Sequence, residues 1–318
     1  MYLIEISRGC FRGCRFCLAG YLYRPLRQRS VPAILDQAKE GLHYRRTIGL
    51  VGAAVSDYPD IDALIEGLRN LGAQIAVSSL RVDPLPESLL DALAASGTQT
   101  LTLAPETGSE RLRRLVSKGV TQEQVLRASE RASQHGFPQL KVYFMVGLPG
   151  ETDEDVGAMV ELVRAIKGRF RRHITVNVTP FVPKPHTPFE RMPMADTETL
   201  ASRIRFLTRE LRPLSVSVRV EGPAWARVQG ALARGDRALG QALSYLAKPT
   251  LSGWRRMLRQ AGLNEETYLR ARDPQEPLPW EIVDGRLRRL PASTGAVDAI
   301  PADGSNPQRP MDRIRDTH

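Results

Sequence analysis

Three cysteines stand close together near the start of the 318-residue sequence, within Glu5–Arg29 (EISRGCFRGCRFCLAGYLYRPLRQR). They are Cys10, Cys14 and Cys17, spaced C-x3-C-x2-C, and the sequence contains no other cysteine. Thiolates are soft ligands that suit iron–sulfur clusters or zinc. Three thiolates on one loop can hold three corners of a cubic four-iron cluster and leave one iron open to another ligand. Structural zinc normally has four protein ligands, and His43 is the nearest further candidate, so zinc is the alternative.

Composition and charge narrow the class of protein. A hydrophobic content of 42% is enough for a folded core, and no run of 18 apolar residues predicts a membrane span. Met1 leads into YLIEIS, which does not resemble a secretory signal, so a cytoplasmic protein without a membrane partner is expected. In a reducing compartment, clustered cysteines favour a metal site over disulfides. The net charge of +10 favours an anionic partner such as RNA. No recognised nucleic-acid-binding module accompanies the charge, so RNA binding stays an open alternative.

Six short apolar strands are predicted to alternate with helices. They are Tyr2–Ser7, Thr47–Val51, Gln74–Ser78, Thr100–Ala104, Lys141–Val146 and Ile174–Thr179. Such alternation indicates parallel strands joined by helical crossovers. Six units are too few for a closed eight-stranded barrel. The predicted fold class is therefore α/β, a partial (β/α)6 TIM-type barrel with a small C-terminal helical appendage.

Beyond about Val220 the alternation stops. Short helices are predicted in Gly222–Leu246, Ser252–Ala261 and Glu265–Arg272, with Trp225 and Trp254 expected in a core. The last residues, 291–318, are rich in Pro, Asp, Ser and Ala, which is typical of a disordered tail. The predicted domains are residues 1–220, 221–290 and 291–318.

Polar and glycine-containing segments follow most of the predicted strands. The cysteines follow the first strand, and Gly52–Ala54, Ser79–Arg81, Glu106 and Gly147–Gly150 follow later ones. In folds of this class the chemistry lies at the carboxyl ends of the strands. All these segments are therefore expected at one end of the barrel.

The motifs resemble those of the radical S-adenosylmethionine (radical SAM) superfamily over roughly residues 2–220. The resemblance rests on C-x3-C-x2-C with Phe16 before the last cysteine, on APETGSERLR at Ala104–Arg113 and on KVYFMVGLPGETDED at Lys141–Asp155. The segments ISRGCFRGCRFCLAG, YRPLRQRS, VGAAVSDYP, SSLRVDP and PLPWEIVD are most similar to bacterial cobalamin-binding radical SAM proteins of unassigned substrate.

The resemblance implies an enzyme with a 4Fe-4S cluster and SAM as cofactors. The open iron of the cluster would bind the methionine part of SAM, and one electron would cleave SAM to a 5′-deoxyadenosyl radical that attacks an unknown substrate. Such chemistry leads us to expect an electron donor similar to flavodoxin or ferredoxin. No catalytic residue is predicted, and a methyltransferase-like outcome is one option.

The resemblance also implies site residues. Cys10, Cys14 and Cys17 match the cluster ligands. SAM contacts are implied at Phe16, Gly52, Ala53, Ser79, Arg81, Glu106, Gly147 and Leu148. Gly52-Ala53-Ala54 replaces the Gly-Gly-Glu of many members, so that contact would use backbone atoms. Arg81 is expected either to pair with the SAM carboxylate or to form a surface salt bridge, and Glu106 either to bind SAM or to cap a helix.

What the sequence lacks is also informative. Three cysteines leave none for a second cluster, which counts against methylthiotransferases. The most similar proteins carry a cobalamin domain before the core, whereas nine residues precede Cys10 and no D-x-H-x-x-G signature occurs. Three expectations stay open: a shortened gene product, cobalamin supplied by a separate partner chain, or no use of cobalamin. The rival function is a non-catalytic iron–sulfur or zinc protein that binds RNA through its basic surface.

Overall fold

The computed structural model describes residues 1–283 of the chain. The β-strands of this part are β1 (Tyr2–Glu5), β2 (Ser7–Arg8), β3 (Arg27–Gln28), β4 (Thr47–Val51), β5 (Gln74–Val77), β6 (Thr100–Glu106), β7 (Gln139–Val146), β8 (His173–Pro180) and β9 (Ser217–Val220). Its α-helices are α1 (Ala19–Leu22), α2 (Val31–Leu42), α3 (Ile61–Asn70), α4 (Glu87–Ala95), α5 (Glu110–Leu115), α6 (Gln122–Gln134), α7 (Asp153–Arg169), α8 (Thr197–Leu211), α9 (Pro223–Ala233), α10 (Arg237–Leu243), α11 (Leu251–Gln260) and α12 (Glu265–Leu269). Short 3-10 turns occupy Val55–Asp57 and Arg212–Leu214.

Seven of the strands within residues 1–283 form one curved parallel array. β1, β4 and β5 pair in that order as a first half, and β6, β7, β8 and β9 pair as a second half. A parallel bridge between Leu80 and Leu103 joins the halves, and the Leu80 N–H donates to the Thr102 carbonyl over 3.1 Å. The predicted partial barrel is confirmed, and all six predicted strands are present. β9 is a seventh strand that the sequence pattern did not predict.

Alternating burial along β7 shows which side of the sheet faces the helices. In β7, Leu140, Val142, Phe144 and Val146 are buried, and the residues between them are half-buried. The buried set packs into the main core together with apolar residues of the helices. Because strand side chains alternate between the two faces, the half-buried set points away from the helices into the barrel interior. This second set is the inner face of the barrel.

Local sequence signals place several helices. α6 begins with a capping box, in which Thr121 accepts from the Gln124 N–H and the Gln124 side chain accepts from the Thr121 N–H. α2 begins after Ser30 with a proline in its first turn, and the Ser30 side chain makes no capping hydrogen bond within residues 1–283.

The C-terminal helices pack against the barrel through α9, which contacts α8, β8, α11 and α12. The predicted helix Gly222–Leu246 is interrupted, since α9 ends at Ala233 and α10 begins at Arg237. Trp254 is buried as expected, but the expectation for Trp225 was wrong because it is 46% exposed. The predicted tail, 291–318, lies outside the described residues. None of the helices in residues 1–283 combines the length and hydrophobicity that crossing a membrane requires.

Candidate functional site

The cysteine loop, residues 9–18, is tied closely to the amino-terminal strand. β2 and β3 pair antiparallel directly before and after the segment that contains it. Gly9 adopts φ +97°, and a Cβ there would lie 2.3 Å from the Tyr23 carbonyl oxygen, so only glycine fits without a shift. The Tyr21 hydroxyl donates to the Gly13 carbonyl over 2.8 Å, and the Arg15 N–H donates to the Val116 carbonyl over 3.0 Å. The loop is thereby held by α1, which contains Tyr21, and by Val116, which follows α5.

All three cysteines are free thiols on this loop. Cys14 is buried, and Cys10 and Cys17 are partly buried. Burial raises the pKa of Cys14, while the nearby charges of Lys118 and Arg81 act in the opposite direction. Burial likewise raises the pKa of Cys10. Within residues 1–283 no three His, Cys, Asp or Glu side chains are gathered closely enough to hold a single metal ion.

This donor set fits a thiolate-ligated cluster. Three soft sulfur donors lie on one loop, and the cationic side chains of Lys118 and Arg81 lie near Cys14.

Arg12, inside the cysteine loop, is bound to a carboxylate that lies beyond the end of the neighbouring parallel strand β4. Its Nε and Nη2 donate to the two oxygens of Asp57 over 2.9 and 2.6 Å. Asp57 follows β4 in a 3-10 turn, and its side chain is only 5% exposed. Arg81, which follows β5, places its Nε 3.6 Å from the same carboxylate. One acid therefore fixes the cysteine loop to the ends of two strands.

A second ion pair lies at the end of β6. The Lys118 Nζ donates to the Glu106 carboxylate over 2.8 Å, and these side chains are 9% and 15% exposed. Glu106 has φ +71°, and the β6–β7 register shifts between Leu103 and Glu106. Such a bulge redirects a side chain at a strand end. Glu106 is not the cap of α5, since Ser109 takes that position.

Gly52, Ala53 and Ser79 lie at the ends of the neighbouring strands. Gly52 directly follows β4 and packs against Ser7. A Cβ at position 52 would lie 2.7 Å from the Ser7 Oγ. Ala53 and Ser79 are exposed, and Ser79 makes no side-chain hydrogen bond within residues 1–283. Backbone groups of Gly52 and Ala53 are therefore more prominent at this edge than side chains.

Phe16 and Leu148 share one apolar cluster at the same end of the barrel. Leu148 is buried in it, and Phe16 packs against it. The next residue to Leu148, Gly147, has φ +82° and gives its N–H to the Glu151 carboxylate over 2.6 Å. Glu151 also accepts from Arg203 over 2.6 Å, and burial raises its pKa to about 7. This acid therefore holds the turn that follows β7.

The structure thus gathers most of the predicted site residues at one end of the barrel. Arg81 and Glu106 are linked through Lys118, whose carbonyl lies 3.5 Å from Arg81 Nη2. Asp57 and Lys118 were not found from the sequence. Neither carries a local signal, because each is defined by a partner 12 to 45 residues away.

The chain is similar to a known family and to several known proteins. Residues 4–163, half of the chain, match the family description "Radical SAM superfamily". The uncharacterized protein MJ0966 of Methanocaldococcus jannaschii is 37% identical over 253 residues, which are 78% of this chain and 55% of that protein. The tRNA-2-methylthio-N(6)-dimethylallyladenosine synthase of Pelotomaculum thermopropionicum is 26% identical over 76% of this chain and 56% of its own length. The chain spans about half the length of these relatives.

A solved structure shares the fold. The radical S-adenosylmethionine methyltransferase TsrM from Kitasatospora setae, with cobalamin and a [4Fe-4S] cluster bound, aligns with a TM-score of 0.56. The alignment covers 82% of this chain and 61% of that chain at 14% sequence identity. At this level of sequence identity, the match shows a shared fold alone.

Proposed function

This chain belongs to the radical SAM superfamily, and we propose that it binds a 4Fe-4S cluster through Cys10, Cys14 and Cys17 and modifies a substrate that is still to be identified. Superfamily membership makes it an enzyme that uses SAM. Enzymes of this superfamily generally require an external reductant. When bound, the cluster and SAM supply reductive cleavage to a 5′-deoxyadenosyl radical. The observation that carries the proposal is the single loop with three free thiols at the carboxyl ends of parallel strands.

The donor set supports the cluster-binding role. The loop is held by the Arg12–Asp57 pair, by the hydrogen bond from the Tyr21 hydroxyl to the Gly13 carbonyl and by the hydrogen bond from the Arg15 N–H to the Val116 carbonyl. Burial raises the pKa of Cys14, and the charges of Lys118 and Arg81 act against that rise. With three cysteines in the sequence, one iron of a four-iron cluster lacks a cysteine ligand, which leaves a position for SAM.

The residues around the loop are proposed to hold SAM. Gly52 and Ala53 offer backbone groups at the end of β4, and Ser79 offers a free hydroxyl after β5. Arg81 and Glu106 are each engaged in an ion pair, so either residue would share its charge between its present partner and SAM. Phe16 and Leu148 supply an apolar surface, and Gly147 supplies its carbonyl because its N–H is taken by Glu151.

The remaining parts of the proposal concern organisation and partners. Residues 1–220 are the catalytic core, the helices α9 to α12 that follow are an appendage to it, and the protein acts in the cytoplasm; the last part of the predicted appendage, 284–290, lies outside the described residues. The reductant is a protein similar to flavodoxin or ferredoxin, and cobalamin takes part only if another polypeptide supplies it. The net charge of +10 favours an anionic substrate.

The decisive experiment is anaerobic reconstitution with iron and sulfide, followed by dithionite reduction in the presence of SAM. We expect about four iron ions per chain and formation of 5′-deoxyadenosine, measured by mass spectrometry. The matched control is Cys14→Ala, which removes one thiol from the loop and should abolish both readouts. Zinc at one ion per chain, or 5′-deoxyadenosine at the level of the Cys14→Ala control, would overturn the proposal.

A further inference from the structure

The inner face of β7, β8 and β9 carries polar side chains in parallel rows. The strand register aligns Lys141 with Thr175 in one row. In the next row towards the carboxyl ends it aligns Tyr143 with Asn177, and Asn177 with Arg219. Because alternate residues share a face of a sheet, these rows lie one above the other inside the barrel.

The lowest polar groups of this face satisfy one another. Thr100 donates to the Gln139 side chain over 3.1 Å, and Gln139 donates to the Thr175 hydroxyl over 2.7 Å. The His173 ring lies 3.3 Å from the Thr175 hydroxyl and 3.4 Å from the Ser217 hydroxyl. The register and this network place Ser217, and with it Arg219 two residues later, on the same face of the sheet as Thr175 and Asn177, and Arg219 is exposed there.

The polar groups above this network have no such partners. Within residues 1–283 the side chains of Lys141, Tyr143, Asn177 and Arg219 make no hydrogen bond or ion pair. The Oδ1 atom of Asn177 is nevertheless buried. A buried acceptor without a partner is unfavourable, and such groups in a native fold usually await a ligand or water.

We propose that Lys141, Tyr143, Asn177 and Arg219 form a binding face for an anionic substrate. The two cations would bind a carboxylate or phosphate group, and the tyrosine hydroxyl would donate to it. Asn177 would accept from a neighbouring hydroxyl or amino group of the same molecule. That the bound molecule is the substrate rests on the proposed function, whereas anion binding itself does not.

The spacing of these rows fits one small anionic group that is bound by side chains from neighbouring strands. Neighbouring strands lie about 4.8 Å apart, so Tyr143 and Arg219 stand roughly 10 Å apart at their Cα atoms with Asn177 between them. Long side chains can close on a group of phosphate or carboxylate size across that distance. The face lies below the end of the barrel that carries Glu106 and the cysteine loop, so a molecule held there faces the proposed SAM site.

Equilibrium dialysis with labelled phosphate and labelled acetate tests the proposal on the full chain with its cluster reconstituted. Arg219→Gln and Lys141→Gln should each weaken binding of the preferred anion about tenfold, the size expected for one charge-assisted contact. Asn177→Asp places a carboxylate in the row and should weaken it further. Arg205→Gln is the matched control, because it removes the same charge from an exposed pair with Glu198 and should change nothing.

The outcomes separate this inference from the function it rests on. Preferential loss of phosphate binding assigns a phosphate group, and preferential loss of acetate binding assigns a carboxylate. Equal binding by the wild type, Arg219→Gln and Lys141→Gln overturns the proposal, as does wild-type binding no tighter than that of Asn177→Asp. SAM cleavage by the wild type is assayed separately, so loss of that activity with intact anion binding refutes the proposed function alone.

Discussion

The cations beside the cysteine loop and those on the inner face of β7 and β9 are treated differently by the fold. Arg12 and Arg81 share the Asp57 carboxylate, and Lys118 is paired with Glu106. Lys141 and Arg219, by contrast, have no carboxylate partner within residues 1–283. Both groups lie on the same array of parallel strands.

The difference separates two tasks. Paired cations are fixed in place, and they hold a loop that must present three thiols in one arrangement. Of the two unpaired cations, Arg219 is exposed and Lys141 is partly buried. A partly buried cation without a partner is unfavourable for folding unless a ligand neutralises it. The cysteine end of the barrel is therefore organised before any ligand binds, whereas the inner face of the second half is completed by one.

The largest effect is expected at Asp57, which neutralises two arginines. Asp57→Asn removes the charge but nearly preserves the shape, so Arg12 and Arg81 lose their shared carboxylate. Breaking a buried pair typically costs about 3–5 kcal/mol, and the 30% exposure of Arg12 places the expected loss near the lower end. Urea unfolding under anaerobic conditions measures it.

The control for Asp57→Asn is Glu198→Gln. Glu198 pairs with Arg205 on the outer side of α8, where both side chains are largely exposed. Exposed pairs contribute less than about 1 kcal/mol. An equal loss in the two variants would show that the Asp57 network has no special role.

Glu151 gives a case in which burial outweighs pairing. Burial raises its pKa to about 7, against an ordinary value of 4.5, although Gly147 and Arg203 both donate to it. Its other oxygen, Oε1, is buried and has no hydrogen-bond partner within residues 1–283. Between pH 4.5 and 7 the folded state therefore holds a proton that the unfolded chain has released, so the free energy of unfolding falls as pH rises through this window.

The full rise in the pKa of Glu151 corresponds to a loss of about 3 kcal/mol in the free energy of unfolding. Glu151→Gln cannot titrate, so its free energy of unfolding should stay nearly level where that of the wild type declines. Urea titrations at pH 5, 6, 7 and 8 compare the two. Parallel pH profiles for the wild type and Glu151→Gln would contradict the raised pKa.

Much of this arrangement could be predicted from the sequence because its signals are local. The six predicted strands, the cysteine loop and the Thr121–Gln124 capping box depend on residues close together in the chain. The ion pairs could not be predicted, since Arg12 and Asp57 are 45 residues apart and many acids were equally available. β9 was missed because only Val218 of its four residues packs against the core, so its apolar pattern is weak.

Lys118→Met tests the paired cations beside the cysteine loop, with a smaller expected loss of stability than Asp57→Asn. The substitution keeps the length of the side chain but leaves the Glu106 carboxylate, 15% exposed, without its cation. A loss of about 2 kcal/mol is expected, less than for a fully buried pair because solvent reaches Glu106. The urea midpoint measures it. An unchanged midpoint would mean that the pair contributes no stability and that Glu106 is free for another role.

Lys141→Met is the matched substitution on the unpaired side, and its expected effect is the smallest and of opposite sign. Lys141 is partly buried on β7 and has no carboxylate partner within residues 1–283. Replacing it with methionine removes a poorly solvated charge and keeps the apolar stem, so the free energy of unfolding should stay the same or rise by up to about 1 kcal/mol. Urea unfolding of Lys141→Met and Lys118→Met side by side provides the comparison, with added phosphate as a second condition. Phosphate should stabilise the wild type and not Lys141→Met. If Lys141→Met is destabilised as much as Lys118→Met, the inner-face lysine is part of the folded framework, and the contrast between the two regions fails.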